Sequence, residues 1–164
     1  MKKLCFTLFI ISSLLIFCLF SCTKSSCLYD VLISLTINDE SVQSGVVMCY
    51  GHMHLDSASD KSITDYLGIG AYPQFKDKIE ELAVYSAVGE SYYELAALKL
   101  YSVEDTKDGV LMLERRIKSA KRASMFGIDT TAADNAFVKV YGNTVVLFMM
   151  EDNAKYKKEI EKLI

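Results

Sequence analysis

Alternating apolar and polar residues predict two β-hairpins in the second half of the chain. The apolar runs Ile79–Val88 and Tyr92–Val103 are separated by three residues and are typical of paired strands, although LAALKL in the second run would also suit a buried helix. The runs Phe137–Tyr141 and Thr144–Met150 flank Gly142-Asn143. Because Gly and Asn tolerate the positive φ of a tight turn, this pair is also predicted to form a hairpin.

Helical spacing of apolar residues predicts four helices around these hairpins. The clearest spans residues 107–123, where Val110, Leu113 and Ile117 recur every three or four positions. The other three predicted helices are residues 28–35, a short helix capped by Asp60 or Ser62 and closed by Gly68, and a last helix capped by Asp152 or Asn153.

The order of these elements predicts an α+β fold. Two hairpins with a long helix between them indicate a four-stranded, mostly antiparallel sheet with the helices packed on one face. Val46 to Met53 can also be extended, and residues 38–45 are predicted to form a polar loop. We expect one α+β domain over residues 28–164.

The first residues have the pattern of a secretory signal. Lys2 and Lys3 precede an uncharged, mostly apolar run from Leu4 to Phe20. Seventeen helical residues span roughly 25 Å, which is short for a transmembrane helix. Residues 1–21 are therefore predicted to be a signal peptide, outside the folded domain.

Leu19-Phe20-Ser21-Cys22 resembles the lipobox of bacterial lipoproteins, with Leu at −3, a small residue at −1 and Cys at +1. Phe20 is larger than the usual residue at −2. The resemblance implies that Cys22 receives a diacylglycerol and becomes the first mature residue, followed by a short polar tether that ends at residue 27. Two acyl chains anchor a protein durably, so we expect localisation at the extracytoplasmic face of the cell membrane, with membrane lipid as a partner. The alternatives are an ordinary secretory signal and an uncleaved anchor.

Charge and cysteine content bear on the expected partners of the mature chain and on whether it contains a disulfide. Two of the 18 Lys and Arg residues lie in the signal, which leaves 16 against 21 Asp and Glu and a mature net charge of about −5. The charges are interspersed without a basic stripe, so nucleic acid is not an expected partner. Processing leaves Cys22, Cys27 and Cys49; Cys27 and Cys49 can form a disulfide or stay free.

CYGHMHLDS, residues 49–57, contains both histidines of the chain. On an extended strand His52, His54 and Asp56 point to one side, and imidazole and carboxylate are zinc ligands. The spacing resembles the motif of metallo-β-lactamase-type hydrolases, but Ser57 replaces that motif's next histidine and no histidine follows. The preferred interpretation is exposed histidines without a cofactor. The alternative is a zinc site at these three residues, with Cys49 as a further ligand only if the backbone turns at Gly51.

The predicted strands carry a second candidate site. Tyrosine and lysine are expected on the sheet face opposite the aliphatic core, where an uncovered sheet would present aromatic rings with polar tips to a peptide or glycan. The alternatives are an ordinary solvated face and rings buried under the N-terminal helix. The candidate binding residues are Tyr85, Lys99, Tyr101, Lys139 and Tyr141.

From about Ile63 onward the chain resembles an uncharacterised lipoprotein domain family of Gram-positive, clostridia-type bacteria. The matching pieces are ITDYLGI, ELAVYSA, ELAALKLYSVED, VLMLERRIKSAKRA and AFVKVYGNTVVLFMM. The resemblance implies a small α+β domain on a lipid anchor and brings no catalytic residues. The sequence itself shows no recognisable set of catalytic residues. We therefore expect a noncatalytic binding or accessory protein of the cell envelope, with an envelope protein or glycan as its partner. An enzyme is a weaker alternative.

Overall fold

The computed structural model describes residues 27–38, 42–51, 59–68, 73–89 and 91–164. These residues form an α+β fold with five helices and one five-stranded sheet. The elements are α1 (Leu28–Leu35), β1 (Val46–Tyr50), α2 (Asp60–Leu67), β2 (Ile79–Val88), β3 (Tyr92–Leu100), α3 (Thr106–Lys121), α4 (Thr131–Asp134), β4 (Phe137–Tyr141), β5 (Thr144–Met149) and α5 (Asn153–Leu163). Short 3₁₀ segments cover Pro73–Lys78, Val103–Asp105 and Arg122–Phe126.

The sheet has the strand order β1-β2-β3-β5-β4, and every pair of neighbouring strands is antiparallel. Both predicted hairpins are confirmed. The predicted number of four strands is wrong, because β1 pairs with β2 as an additional edge strand. This strand ends at Tyr50 and is followed by Gly51, whose φ of +80° favours glycine; a Cβ there would lie 2.2 Å from the Glu80 carbonyl oxygen.

Helices cover both faces of the sheet, so the prediction of helices on one face is wrong. The central strands carry apolar residues on both sides, a pattern typical of sheets buried on both faces. On one face α1 and α5 contribute Val31, Leu32 and Ile160 to a core around Tyr85 and Phe148. On the other face α2, α3 and α4 enclose a second core; it includes Ile63, Leu67, Leu82, Leu98, Leu113, Ala133 and Leu147.

The helix predicted over residues 107–123 is present as α3. It begins with Thr106 and ends at Lys121, after which the chain tightens into the 3₁₀ segment Arg122–Phe126. Gly127 closes that segment with a φ of +78°. The apolar periodicity located the helix, while the exact end depends on backbone capping that periodicity does not encode.

Different helix termini lie at the two ends of the sheet. At the Cys27 end, defined by Leu100, Tyr141 and Thr144, α1 begins, α3 begins and α5 ends. At the opposite Met149 end, α3 finishes beside α4, where Lys121 and Asp134 form an ion pair of 3.2 Å. The residue that precedes α1 and the 3₁₀ segment that follows α3 therefore lie at opposite ends and on opposite faces of the sheet.

Candidate functional site

Antiparallel pairing aligns a row of polar side chains at the Cys27 end of the sheet. Glu81, Lys99, Thr144 and Tyr141 lie opposite one another on β2, β3, β5 and β4. They share the face covered by α1 and α5, and we call them the polar row. Lys99 Nζ lies 2.6 Å from an oxygen of Glu80. The polar row contains two of the five binding residues predicted from the sequence, Lys99 and Tyr141.

The last turn of α5 extends the polar row on the β4 side. Glu161 accepts hydrogen bonds from Lys139 and from the Tyr141 hydroxyl. The Lys139 ammonium also lies 4.7 Å from the centre of the Tyr141 ring. The hydrogen bond from Lys139 lowers the pKa of Glu161 and raises that of Lys139, so both groups are charged at neutral pH. These contacts hold Lys139 and Tyr141 against α5.

Glu81 connects the polar row to the start of α1. Its carboxylate accepts a hydrogen bond of 2.6 Å from the backbone N–H of Leu28 and a longer one from Tyr29. A carboxylate at a helix N-terminus accepts hydrogen bonds from backbone N–H groups that have no partner within the helix. Its negative charge also interacts favourably with the helix dipole. Cys27 is the N-cap of α1, so the polar row lies directly beside the start of this helix.

The other two predicted binding residues have opposite environments. Tyr85 is fully buried in the core beneath α1 and α5, and its hydroxyl donates to the carbonyl oxygen of Gln43. For Tyr85 the alternative of a ring buried under the N-terminal helix applies, and the expectation of an exposed binding residue is wrong, because helices cover this face of the sheet. Tyr101 follows β3 and keeps 68% of its surface exposed. Of the five residues, Tyr101 is the one that presents most of its ring to solvent.

The two described cysteines, Cys27 and Cys49, are not joined by a disulfide. Burial is the largest of the effects that raise the pKa of the Cys27 thiol to about 11, so this thiol is protonated at neutral pH and is a poor nucleophile. Cys49 is fully buried in β1, which removes it from any surface ligand set. His52, His54 and Asp56, the alternative zinc ligands, lie outside the described residues, as does Cys22. Within the described ranges no three His, Cys, Asp or Glu side chains are grouped to hold a metal ion.

The second core contains a charged cluster that the sequence analysis did not identify. Glu94 of β3 is fully buried, and both of its oxygens are hydrogen-bonded. One accepts from the Tyr66 hydroxyl at 2.7 Å, and the other accepts from the Tyr92 hydroxyl at 2.7 Å and from Arg116 at 2.8 Å. The only trace in the sequence is an acidic residue at an inward-facing position of the run YYELAALKL.

Electrostatics within this Glu94 cluster favour a fixed ion pair. Burial raises the pKa of Tyr66 well above its usual value and that of Tyr92 to about 12, and the Glu94 charge adds to both shifts. Burial opposes the charge on Arg116, but the hydrogen bond and charge of Glu94 outweigh it and raise the pKa. Arg116 also stacks 4.5 Å from the centre of the Tyr66 ring. Both tyrosines therefore stay neutral donors, and the cluster joins α2 and α3 to β3.

A shallow groove lies between the 3₁₀ segment Pro73–Lys78 and the first half of α3. Its volume is about 320 Å³, near the lower limit for small-ligand pockets. Phe75 and Met112 form its floor, and Leu111 and Arg115 line one side. On the other side Lys78 is held by Asp105 at 2.6 Å. The groove thus combines an apolar floor with an exposed guanidinium.

No family model, no curated protein and no solved structure matches this chain. The resemblance to a lipoprotein domain family therefore stays a prediction. Within the described ranges, no helix has the length and apolar character needed to cross a membrane.

Proposed function

We propose that this chain is a lipid-anchored, extracytoplasmic protein of the cell envelope that binds another envelope component without catalysing a reaction. The observation that carries the proposal is the sequence Leu19-Phe20-Ser21-Cys22 after a basic and apolar leader. Acylation of Cys22 by two chains would give a durable membrane anchor. The position of Cys27 supports this reading, since the cap of α1 lies only five residues after Cys22, the proposed site of acylation.

Charge pairing supports a noncatalytic role. The buried carboxylate of Glu94 is held by three donors, and the carboxylates of Glu80, Glu81 and Glu161 each bind a neighbouring lysine or backbone amide. A general acid or base needs a carboxyl group that can exchange its proton with a substrate. These carboxylates instead join neighbouring strands or connect helices to the sheet, so the candidate surfaces are better suited to binding.

The candidate recognition surface is Tyr101 together with Lys99, Lys139 and Tyr141. Tyr101 supplies an exposed ring with a polar tip, which suits a peptide or a sugar ring. The polar row lies beside the start of α1, so an anchored protein would keep this surface close to the bilayer. Tyr85 is excluded from this surface by its burial.

Mass spectrometry of the full chain purified from membranes tests the anchor. We expect an N-terminus at Cys22 that carries a diacylglycerol thioether, and incorporation of an alkyne-labelled fatty acid that is lost in Cys22→Ser. Cys27→Ser is the matched control and should still be labelled. An intact N-terminus without acyl chains would contradict the proposal.

Site-specific photo-crosslinking on intact cells tests the recognition surface. A benzoylphenylalanine at position 101 should give a discrete crosslinked species, whereas the same residue at Lys158 on the exposed side of α5 should not. Equal crosslinking from both positions would show that Tyr101 is not in a recognition surface.

The second candidate function is zinc binding through His52, His54 and Asp56, which the H-x-H-x-D spacing favours. Calorimetric titration of zinc into the full chain should then show binding that disappears in His52→Ala/His54→Ala. Identical titrations of the two proteins would eliminate this function.

A further inference from the structure

The solvent-facing side of α3 carries a continuous line of exposed residues. Lys107, Leu111, Arg115, Lys118 and Arg122 recur every three or four positions and are exposed, so they form one stripe opposite the buried side of the helix. The 3₁₀ segment then adds Met125 and Phe126 at the Met149 end. We call these seven residues the α3 stripe.

The four cations of the α3 stripe are unpaired within the described part of the chain. Other cations nearby have acidic partners: Lys78 with Asp105 and Asp108, Arg116 with Glu94, and Lys121 with Asp134. Lys107, Arg115, Lys118 and Arg122 have none among the described residues. The stripe is thus a positive band on a chain whose net charge is −3, and its natural counterpart is an acidic surface.

Apolar side chains mark both ends of the stripe. Met125 and Phe126 are 81% and 82% exposed, and Leu111 is 54% exposed beside the groove floored by Phe75 and Met112. Isolated exposed apolar residues are common, but adjacent large ones bordered by charge are typical of interaction sites. A simple polyanion would neutralise the cations and leave these apolar groups in water. An amphipathic partner would neutralise the cations and would also remove the apolar groups from water.

Tether length argues against the anchoring bilayer as the occupant. Five residues connect Cys22 to Cys27, and a fully extended chain of five residues spans at most about 18 Å. Cys27 caps a helix on one face of the sheet, whereas the stripe is the outer surface of α3 on the other face. With helices about 10 Å across and the sheet between them, that surface lies roughly 25 Å from the axis of α1. An anchored domain therefore turns the stripe away from its own membrane.

Helix α5 of a second copy offers no matching acidic surface to the stripe. The exposed side of α5 alternates acidic and basic residues, with Glu159 paired to Lys162 and Glu161 paired to Lys139. A mixed surface of this kind lacks the continuous negative charge that the stripe requires. The mixed charge of α5 thus favours a different molecule as the occupant.

We propose that the α3 stripe is a docking surface for an acidic, amphipathic segment of a partner protein. The partner places carboxylates against Arg115, Lys118 and Arg122 and apolar side chains on Leu111 and on Met125-Phe126. This inference rests on the proposed lipid anchor only for the exclusion of the bilayer. The charge and apolar pattern belong to α3 itself.

Fluorescence anisotropy of the full chain in detergent micelles tests the surface. The probe is a labelled amphipathic peptide of Glu and Leu in helical spacing, about 15 residues long to match Leu111–Phe126. Arg115→Glu/Lys118→Glu/Arg122→Glu should weaken peptide binding about tenfold or more, and Met125→Ser/Phe126→Ser should weaken it several-fold. The matched control, Lys155→Glu/Lys157→Glu/Lys158→Glu on α5, should bind as tightly as the wild type. Circular dichroism melts verify that each variant is folded.

The outcomes separate the competing occupants. Equal weakening by the α3 and α5 charge variants, or unchanged binding in both stripe variants, overturns the proposal. Polyglutamate bound as tightly as the amphipathic peptide also overturns it, because the apolar residues would then contribute nothing. Vesicles of phosphatidylglycerol are tested with Cys22→Ser; recruitment that depends on the stripe and exceeds peptide binding assigns the surface to a membrane instead. Stripe-dependent peptide binding by a chain found unacylated at Cys22 supports the docking surface while refuting the lipid anchor.

Discussion

The two faces of the sheet bury their residues by different means. Beneath α1 and α5 the core is apolar and aromatic, with Tyr85 and Phe148 as its largest members. Beneath α2 and α3 the core also encloses Glu94, which is the only fully buried charged residue in the described ranges. The first face needs matching volume and an acceptor for the Tyr85 hydroxyl. The second face needs three donors at fixed positions around one carboxylate.

Because of this difference, the cores on the two faces are expected to tolerate substitutions differently. An apolar core loses stability in proportion to the volume removed, whereas a buried ion pair fails when either partner is lost, since an uncompensated charge then remains in a low-dielectric site. The face with α3 is also the face that presents the α3 stripe. Arg116 therefore fixes the helix on its inner side while Arg115 and Lys118 stay exposed on the outer side.

The largest effect is expected from Glu94→Ala. The change leaves Arg116 without its carboxylate and deprives the hydroxyls of Tyr66 and Tyr92 of their acceptor. We expect the free energy of unfolding to fall by about 3–5 kcal/mol. Urea denaturation followed by circular dichroism measures this loss.

The double variant Glu94→Leu/Arg116→Met distinguishes the charge from the packing. Removing both charges together should restore part of the stability lost in Glu94→Ala, because well-packed apolar residues often replace a buried ion pair without cost. The hydroxyls of Tyr66 and Tyr92 still lack their acceptor, so the recovery is not complete. A double variant as unstable as Glu94→Ala would show that the cluster contributes through its shape and that the two faces do not differ in kind.

A smaller effect is expected on the other face from Tyr85→Phe. The substitution keeps the ring and removes the hydrogen bond to the Gln43 carbonyl oxygen. We expect a loss of about 1 kcal/mol, the usual net value of one such bond, in the same urea experiment. Tyr93→Phe is the control, because the Tyr93 hydroxyl has no described hydrogen bond. A loss as large as that of Glu94→Ala would remove the contrast between the faces.

The smallest effect is expected from Lys139→Ala at the edge of the polar row. Lys139 lowers the pKa of Glu161 below its usual value of 4.5, mainly through a hydrogen bond. The pair therefore stabilises the fold above about pH 4.5, and the contribution is lost as the pH falls through the lowered pKa of folded Glu161. Melting temperatures of the wild type and Lys139→Ala should differ slightly at neutral pH and converge in acid. Lys118→Ala, which removes an unpaired lysine, should show no such convergence; a gap that widens in acid would contradict the assignment.

Local patterns account for what the sequence predicted correctly. The hairpin at Gly142-Asn143 depends on residues that tolerate positive φ, and Gly142 has a φ of +57°. The position of α3 follows from apolar residues three and four apart. Both signals lie within a few residues of the structure that they specify, so the chain encodes them without reference to distant partners.

Three features of the candidate sites were not predicted from the sequence because they depend on how the chain folds. Glu94 meets Arg116 and Tyr66 across separations of 22 and 28 residues. The placement of α1 over the sheet buries Tyr85 and so changes a predicted recognition residue into a core residue. The α3 stripe was overlooked since its cations are interspersed with acidic residues in the sequence, and only the helix brings Lys107, Arg115, Lys118 and Arg122 into one line.

By itself, then, the sequence determined the α+β class, the antiparallel hairpins, the long helix and the lipobox pattern on which the proposed location depends. Tertiary structure decided the fifth strand, the coverage of both sheet faces and the side of each helix that meets solvent. The physical reason is that backbone turns and helical periodicity are short-range properties. Burial and charge pairing depend on which distant segments pack together, and no local pattern contains that information.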